Sequence, residues 1–310
     1  MNILITPTNS YAAYAGALLT SIFENDKNTL FNVYILTTGF DKENTDKMEV
    51  LAQRYSQSIK IIQFSDEDSR VPVPGRWGIS TYIKLFATDY IDADKVLYLD
   101  IDITVVGKLS LLENFDISEY YAAAPPDAST SEGHKKRLGI PQENFFGCCG
   151  VVYLNLKKWR EDDLKQKSLS FIQDNFNIIQ FADQDVINSV CTGRIYKLPM
   201  RFNMMAFFFR NAPLLSEEDK SDFVNELKHM VVIHYTCTKP WFSDCDMPLK
   251  NQFIKYADKS PWEISYPRSA HYTTIRYAIN SIRYFIQRLN IKTYPYLFLS
   301  TRKVKKILKS

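Results

Sequence analysis

Val96-Leu97-Tyr98-Leu99-Asp100-Ile101-Asp102-Ile103 is an apolar run that ends on two carboxylates one residue apart. Four apolar residues in a row read as a buried strand. In an extended segment, side chains two positions apart leave the same face, so Asp100 and Asp102 are expected to converge on one spot. Two hard oxygen ligands suit Mn²⁺ or Mg²⁺ carrying a diphosphate, because these cations prefer carboxylate and phosphate oxygens and keep positions open for substrate. A glycosidase also needs two carboxylates, but there they flank a sugar ring at roughly 5 to 9 Å, which neighbours on one face do not. The plain alternative is an acidic pair that ends a strand in a solvated turn.

Outward from this run, strands alternate with helix-length segments. Asn2 to Ile5 reads as a strand, Tyr11 to Phe23 as a helix, Phe31 to Leu36 as a strand, Lys42 to Ser56 as a helix and Ile59 to Phe64 as a strand. That alternation predicts an α/β fold with a parallel sheet. A helix is expected over Thr81 to Tyr90 just before the acidic run. Beyond it come a strand at Val151 to Leu154, mostly helix from Leu156 to Asp174, and a helix opening at Asp183 with its acids at the favourable N-terminal end. Ligands of such sheets bind beyond the carboxyl ends of strands, which makes Thr6-Pro7-Thr8-Asn9-Ser10 a ligand loop. It carries no GxGxxG, so a dinucleotide fingerprint is absent.

Two further segments carry chemistry. Val231-Val-Ile-His234-Tyr235 places a histidine at the end of an apolar run, where it reads either as a nitrogen ligand or as a structural histidine. Lys239-Pro240-Trp241 sets a cation on a proline-stiffened loop, which reads either as a clasp for a pyrophosphate or as an ordinary surface lysine beside a buried Trp.

In order along the chain, these segments resemble the bacterial lipopolysaccharide galactosyltransferases and their relatives in glycosyltransferase family 8. The resemblance runs over roughly residues 1 to 250. It rests on Ile3-Leu-Ile-Thr6 with Asn9-Ser10-Tyr11-Ala-Ala-Tyr14, on Ile79-Ser-Thr-Tyr-Ile-Lys84, on Asp94 through Asp102 and on Gly150 with Asn155-Leu-Lys-Lys-Trp-Arg160. Asp183-Gln184-Asp185, Arg201-Phe-Asn203 and His234-Tyr to Lys239-Pro-Trp241 complete it. It implies a GT-A, Rossmann-like fold, a UDP-hexose donor and transfer with retention of anomeric configuration. It also implies a metal held by Asp100, Asp102 and His234, with Asp100 near the ribose and Lys239 on the diphosphate. Thr6, Thr8, Ser10 and Tyr11 fall in the uridine-contacting loop, where relatives often have a carboxylate in place of Thr8. Lys84 stands where an arginine commonly touches donor sugar and phosphate, and an ammonium keeps the charge but loses the planar fork. Asp183 falls at the residue that bonds donor hydroxyls and Gln184 beside the anomeric carbon, where a neutral amide is a poor nucleophile. Cys148 occupies the place of an asparagine that contacts the donor sugar.

At 310 residues and 45% hydrophobic the chain has ample material for a core, and its 14% aromatic content would suit a sugar-handling cleft. With no apolar stretch near 18 residues and no signal-peptide pattern, a cytoplasmic protein is expected. Five cysteines without a CxxC pair read as buried thiols. After Glu263 the chain carries ten basic residues and no acid, so the overall +3 less those ten leaves −7 on residues 1–263. The expected division is therefore a catalytic body over 1–263 and a basic helical extension over 264–310. Ile275, Ile279, Ile282, Ile286 and Leu289 make one helical stripe there, which reads either as an interfacial anchor that would hold the protein at the inner face of an anionic membrane near its acceptor or as a face that packs on the acidic body. No nucleic-acid motif occurs and the body is acidic, so no nucleic-acid partner is expected.

Two other readings share these features. A sugar nucleotidyltransferase would carry a glycine-rich basic loop where Thr6 to Tyr11 has neither glycine nor lysine. A catalytically silent glycan- or membrane-binding protein would keep the fold, and Thr8, Lys84 and Cys148 leave that reading open.

Overall fold

The structure is a computed structural model that describes residues 1–269 except 66, 76, 128–129, 206–207, 209–222, 224, 237–238, 246 and 248. The strands and helices are β1 (Asn2–Ile5), α1 (Ala12–Asn25), β2 (Asn32–Thr37), α2 (Lys42–Tyr55), β3 (Ser58–Gln63), α3 (Ala87–Tyr90), β4 (Lys95–Leu99) and β5 (Ile103–Val105). They continue as β6 (Ala122–Ala124), α4 (Glu132–Arg137), β7 (Val151–Asn155), α5 (Leu156–Glu161), α6 (Leu164–Asn175), α7 (Ala182–Val190), β8 (Ile195–Lys197), β9 (Met204–Met205), β10 (Val232–His234) and α8 (Lys250–Ala257).

Local chemistry sets the helix ends. The Asp41 carboxylate accepts the N–H of Asn44 to start α2, and Ser56 closes it at φ 52°, in the left-handed region common at helix ends. Apolar runs with no polar face make β1 and β4 interior strands covered on both sides.

Seven strands form the main sheet in the order β3-β2-β1-β4-β7-β6-β8, and β5-β10-β9 form a small second sheet. The first four are parallel, as the alternation predicts. Strand β7 departs from an all-parallel sheet by running antiparallel to both β4 and β6. Its direction sets the start of β7 against the end of β4, with Val151 opposite Leu99, and brings Gly150 beside Asp100. One face of the sheet packs Ile3, Ile5, Leu97 and Leu99 against Leu18 and Ile22 of α1. The other packs Leu4, Val96 and Tyr98 with Trp159, Ile172 and Val186 from α5 to α7.

The helix expected over Thr81 to Tyr90 is broken. Ile79–Thr81 and Ile83–Phe86 are 3₁₀ turns, and only Ala87–Tyr90 is α-helical. Ile79, Thr81 and Ile83 are β-branched and lower helix propensity, while Ile83, Lys84, Leu85 and Phe86 are all buried, which a continuous amphipathic helix would not permit. Cys148, Cys149, Cys191 and Cys245 are buried and unbridged. Cys237 lies outside the described residues, as do the Ile275 to Leu289 stripe and most of the basic extension. Residues just past 263 stay on the body: Ser243 N–H donates to the Pro267 carbonyl and Ser269 bonds Asp244. Among the described residues no helix is long and apolar enough to cross a membrane.

Candidate active site

Asp100, Ile101 and Asp102 are the turn between β4 of the large sheet and β5 of the small one. The convergence of the two carboxylates thus comes from a turn between sheets rather than from extended alternation. Strand β10 pairs antiparallel with β5, setting His234 opposite Ile103, and the N–H of Tyr235 donates to the Asp102 carbonyl at 2.9 Å. Nε2 of His234 lies 3.3 Å from Asp102 Oδ1 and 3.7 Å from Asp100 Oδ2. Donor atoms of Asp100, Asp102 and His234 fall within 4.8 Å of one another.

Several observations fit this set to a divalent cation. Two carboxylates and one imidazole are a donor set that Mn²⁺ or Mg²⁺ accepts. The backbone leaves it room at Gly150, where a Cβ would stand 2.3 Å from His234 Cε1 and 2.8 Å from Asp100 Oδ2. Positive charge is already drawn to the spot: the Lys239 ammonium pairs with Asp102. Burial opposes ionisation of Asp102, but Lys239 and His234 outweigh it and hold the carboxyl well below its usual range. Burial likewise opposes the imidazolium of His234, yet the charge of Asp102 lifts its pKa to about 10. Cys148 is buried close to this ring and adds to the rise.

A cleft opens over the pair. Thr6, Pro7, Thr8 and Tyr11 from the β1–α1 loop line one wall. Ser80, Thr81 and Tyr98 line another, and Asp100, Asp102, Lys239 and Trp241 complete it. Tyr11 is 43% exposed with its edge against Trp241, which stacks on Tyr14 at 4.0 Å. Ser10 joins the rim through a 3.1 Å hydrogen bond with Thr8. Thr6 is buried and donates to the Ser80 carbonyl at 2.9 Å, so its hydroxyl fixes the loop.

Lys84 lies deeper, 2% exposed. Its ammonium bonds Asp183 at 2.5 Å, stands 3.8 Å from Asp100 and lies 3.6 Å from the centre of the Tyr98 ring. Burial alone would lower its pKa, but the charges of Asp183 and Asp100 prevail and keep it protonated. Burial lifts Asp183 to about 6 even with Lys84 beside it. Gln184 is clamped at both ends of its amide: Oε1 accepts the N–H of Cys149 at 3.1 Å and Nε2 donates to Asp127 at 2.6 Å.

Asp100, Asp102, His234, Lys239, Lys84 and Asp183 are joined by ion pairs, with Gln184 linked to Lys84 through the Cys149 backbone, while Thr6, Thr8 and Tyr11 line the cleft and Ser10 bonds Thr8. Tyr98 and Asp127 bond candidate residues although neither has a role assigned from sequence, and Gly150, a landmark of the resemblance, proves to lie against Asp100 and His234. Tyr98 donates to Asp100 at 2.8 Å, and only its position two residues earlier in the strand hinted at that. Asp127 follows Pro125-Pro126 in irregular chain that offers no periodicity to read.

Comparison with known proteins agrees with this geometry. The family model described as "Glycosyl transferase family 8" matches residues 2–245. A putative glycosyltransferase of Haemophilus influenzae is 29% identical over 84% of this chain and 79% of its own. A lipopolysaccharide 1,2-glucosyltransferase of Escherichia coli is 29% identical over 82% of this chain and 76% of its own. Among solved structures, the galactosyltransferase LgtC in complex with donor and acceptor sugar analogs superposes with a TM-score of 0.77. It is 28% identical and the match covers 85% of this chain and 97% of LgtC. The fold is the GT-A type. The chain belongs to glycosyl transferase family 8.

Proposed function

We propose that this glycosyltransferase is a retaining, metal-dependent hexosyltransferase that moves glucose or galactose from a UDP-sugar to a bacterial surface glycan or glycolipid. The convergence of Asp100, Asp102 and His234 under the Thr6 to Tyr11 loop carries this reading, and the lipopolysaccharide glucosyltransferase relative supports it. Asp100, Asp102 and His234 would hold Mn²⁺ or Mg²⁺. Such an ion neutralises a diphosphate leaving group as its charge grows.

The side chains divide the remaining work. Thr8, Ser10 and the exposed ring of Tyr11 offer hydroxyls and an aromatic face to uridine. Lys239, on the same wall as Asp102, supplies charge for the diphosphate. Asp183, oriented by Lys84, accepts hydroxyls of the donor sugar, and Cys148 lies beside that sugar. Gln184 is a neutral amide held at both ends, a poor nucleophile, so transfer proceeds on the front face with the departing diphosphate oxygen taking the acceptor proton. The basic segment beyond 264 would keep the enzyme at the inner membrane face.

The test is UDP release from a panel of UDP-sugars with Mn²⁺ and with EDTA. Release from UDP-glucose or UDP-galactose that EDTA abolishes, and that Asp102→Asn silences, is the expected result. No release and no UDP binding across the panel would overturn the reading.

A further inference from the structure

Asp185 is third in Asp183-Gln184-Asp185, but its carboxylate has other partners. Oδ2 accepts the N–H of Gln180 at 2.8 Å and of Phe181 at 3.1 Å, and Arg137 Nη2 reaches it at 3.3 Å. Oδ1 lies 2.8 Å from His134 Nε2. Asp185 is fully buried and His134 nearly so. The His134 ring stacks on Phe181 with centroids 5.0 Å apart and meets the edge of Phe146 at 5.1 Å. Arg137 also donates to the Ile178 carbonyl at 2.8 Å and to Gln180 Oε1 at 2.7 Å. Helix α4 therefore grips the residues that lead into α7.

At the pivot of that turn stands Ala182, buried, with φ +41°. An L-residue with a Cβ is disfavoured in the left-handed region, because Cβ crowds the following carbonyl. Such a conformation persists only where its surroundings enforce it, and it gathers at functional sites. Here the two N–H groups before Ala182, at Gln180 and Phe181, are both captured by the carboxylate three residues after it. Asp183 and Gln184 follow directly, so the direction of both side chains depends on a turn that alanine alone would not keep.

We propose that Asp185, with His134 and Arg137, is a positioning clamp that enforces the left-handed turn at Ala182 and so aims Asp183 and Gln184 at the donor sugar. Asp185 itself does not meet substrate. The inference rests on the reading of Asp183 and Gln184 as donor-sugar residues.

The experiment compares the wild-type full chain, Asp185→Asn and the double variant Asp185→Asn/Ala182→Gly. It reads UDP release from UDP-glucose and UDP-galactose with Mn²⁺, calorimetric affinity for UDP with Mn²⁺, and amide hydrogen exchange. In Asp185→Asn, kcat falls roughly 10- to 100-fold, as misplaced groups at a reacting centre do. UDP affinity stays at the wild-type value, because the nucleotide loop and the metal ligands sit on other elements. Glycine occupies the left-handed region without penalty, so the double variant recovers most of the lost kcat. A purely stabilising ion network would give no such recovery. An unchanged kcat in Asp185→Asn, or a loss that Ala182→Gly does not mend, overturns the clamp. Faster exchange of the Gln180 and Phe181 amides in Asp185→Asn is expected whichever donor is used. A wild-type protein that is silent with both sugars while those amides lose protection would sink the donor reading and not the clamp. Should Asp185→Asn fail to fold, Arg137→Gln takes its place under the same criteria with a smaller loss.

Discussion

The carboxamide oxygen of Asn203 stands 2.8 Å from His234 Nδ1, while Nε2 of the same ring faces Asp100 and Asp102. Nδ1–H donates to Asn203, which leaves the Nε2 lone pair directed at the aspartates in the neutral ring. Partners of this kind fix ring orientation and tautomer for metal binding, and their loss typically weakens affinity about 10- to 100-fold. Asn203→Ala is therefore expected to raise the Mn²⁺ dissociation constant by that factor with the circular dichroism unchanged. Titration calorimetry with Mn²⁺ measures it, and wild-type affinity would show that the ring needs no such support.

Gly150→Ala places a methyl group where His234 and Asp100 converge. The ring is buried and tied to Asn203, so it has little room to yield. Overpacking of this kind costs about 1 to 3 kcal/mol. The variant should melt a few degrees lower and lose at least about tenfold in Mn²⁺ affinity. Scanning calorimetry with and without Mn²⁺ separates the two, because the shift that the ion confers on the wild type should shrink in the variant.

Glu24 gives a dependence on pH with a definite sign. The hydrogen bond from Lys259 lowers its pKa below the usual 4.5 against the opposing effect of burial, and the Tyr55 hydroxyl adds to the fall. A carboxylate whose folded pKa is depressed stabilises the fold above its unfolded pKa and stops doing so as pH falls through the folded one. Glu24→Gln should cost roughly 0.5 kcal/mol at pH 7, about 1 to 2 °C in melting temperature, given the partial exposure of the pair. That difference should begin to shrink as pH drops below about 4.5 and vanish once pH has fallen through the lower folded pKa. Equal melting temperatures at pH 7 would assign the ion pair no part in stability.

Trp262 lies 7% exposed against Gly16 of α1, where a Cβ would stand 2.3 Å from its ring. Trp262→Ala empties that space and drops the indole bond to Asn44. A loss of about 3 to 5 kcal/mol is expected in urea unfolding. A loss under about 1 kcal/mol would mean that the neighbouring chain closes the gap.

The first half of the fold is legible in the sequence because its signals are local. Apolar runs and three-four spacing place β1, α1, β2, α2 and β3 within about two residues of their bounds, and β4 with its acidic end follows from Val96 to Asp102 alone. The direction of β7 and the second sheet are not local properties. They depend on which strand edges meet, and nothing in Val151 to Asn155 or Val232 to His234 records a partner. For the same reason Asp100, Asp102, His234 and Lys239 could be named as chemistry, while the interlock of Asp185 with His134 could not. Those two lie 51 residues apart, and an acid near a helix start already has a sufficient local explanation.

Helix α1 is completed by chain that lies far away in sequence. Gly16 receives Trp262, Asn25 donates to the Tyr256 hydroxyl 231 residues on, and Glu24 holds Lys259. On a ribosome, α1 emerges more than 200 residues before this segment and therefore has to wait with an apolar side uncovered until the segment has been made, a period in which an exposed apolar surface invites aggregation. A shortened chain cut at residue 245, where the family match stops, would never end that wait, whereas a cut placed after Ser269 would retain the covering segment.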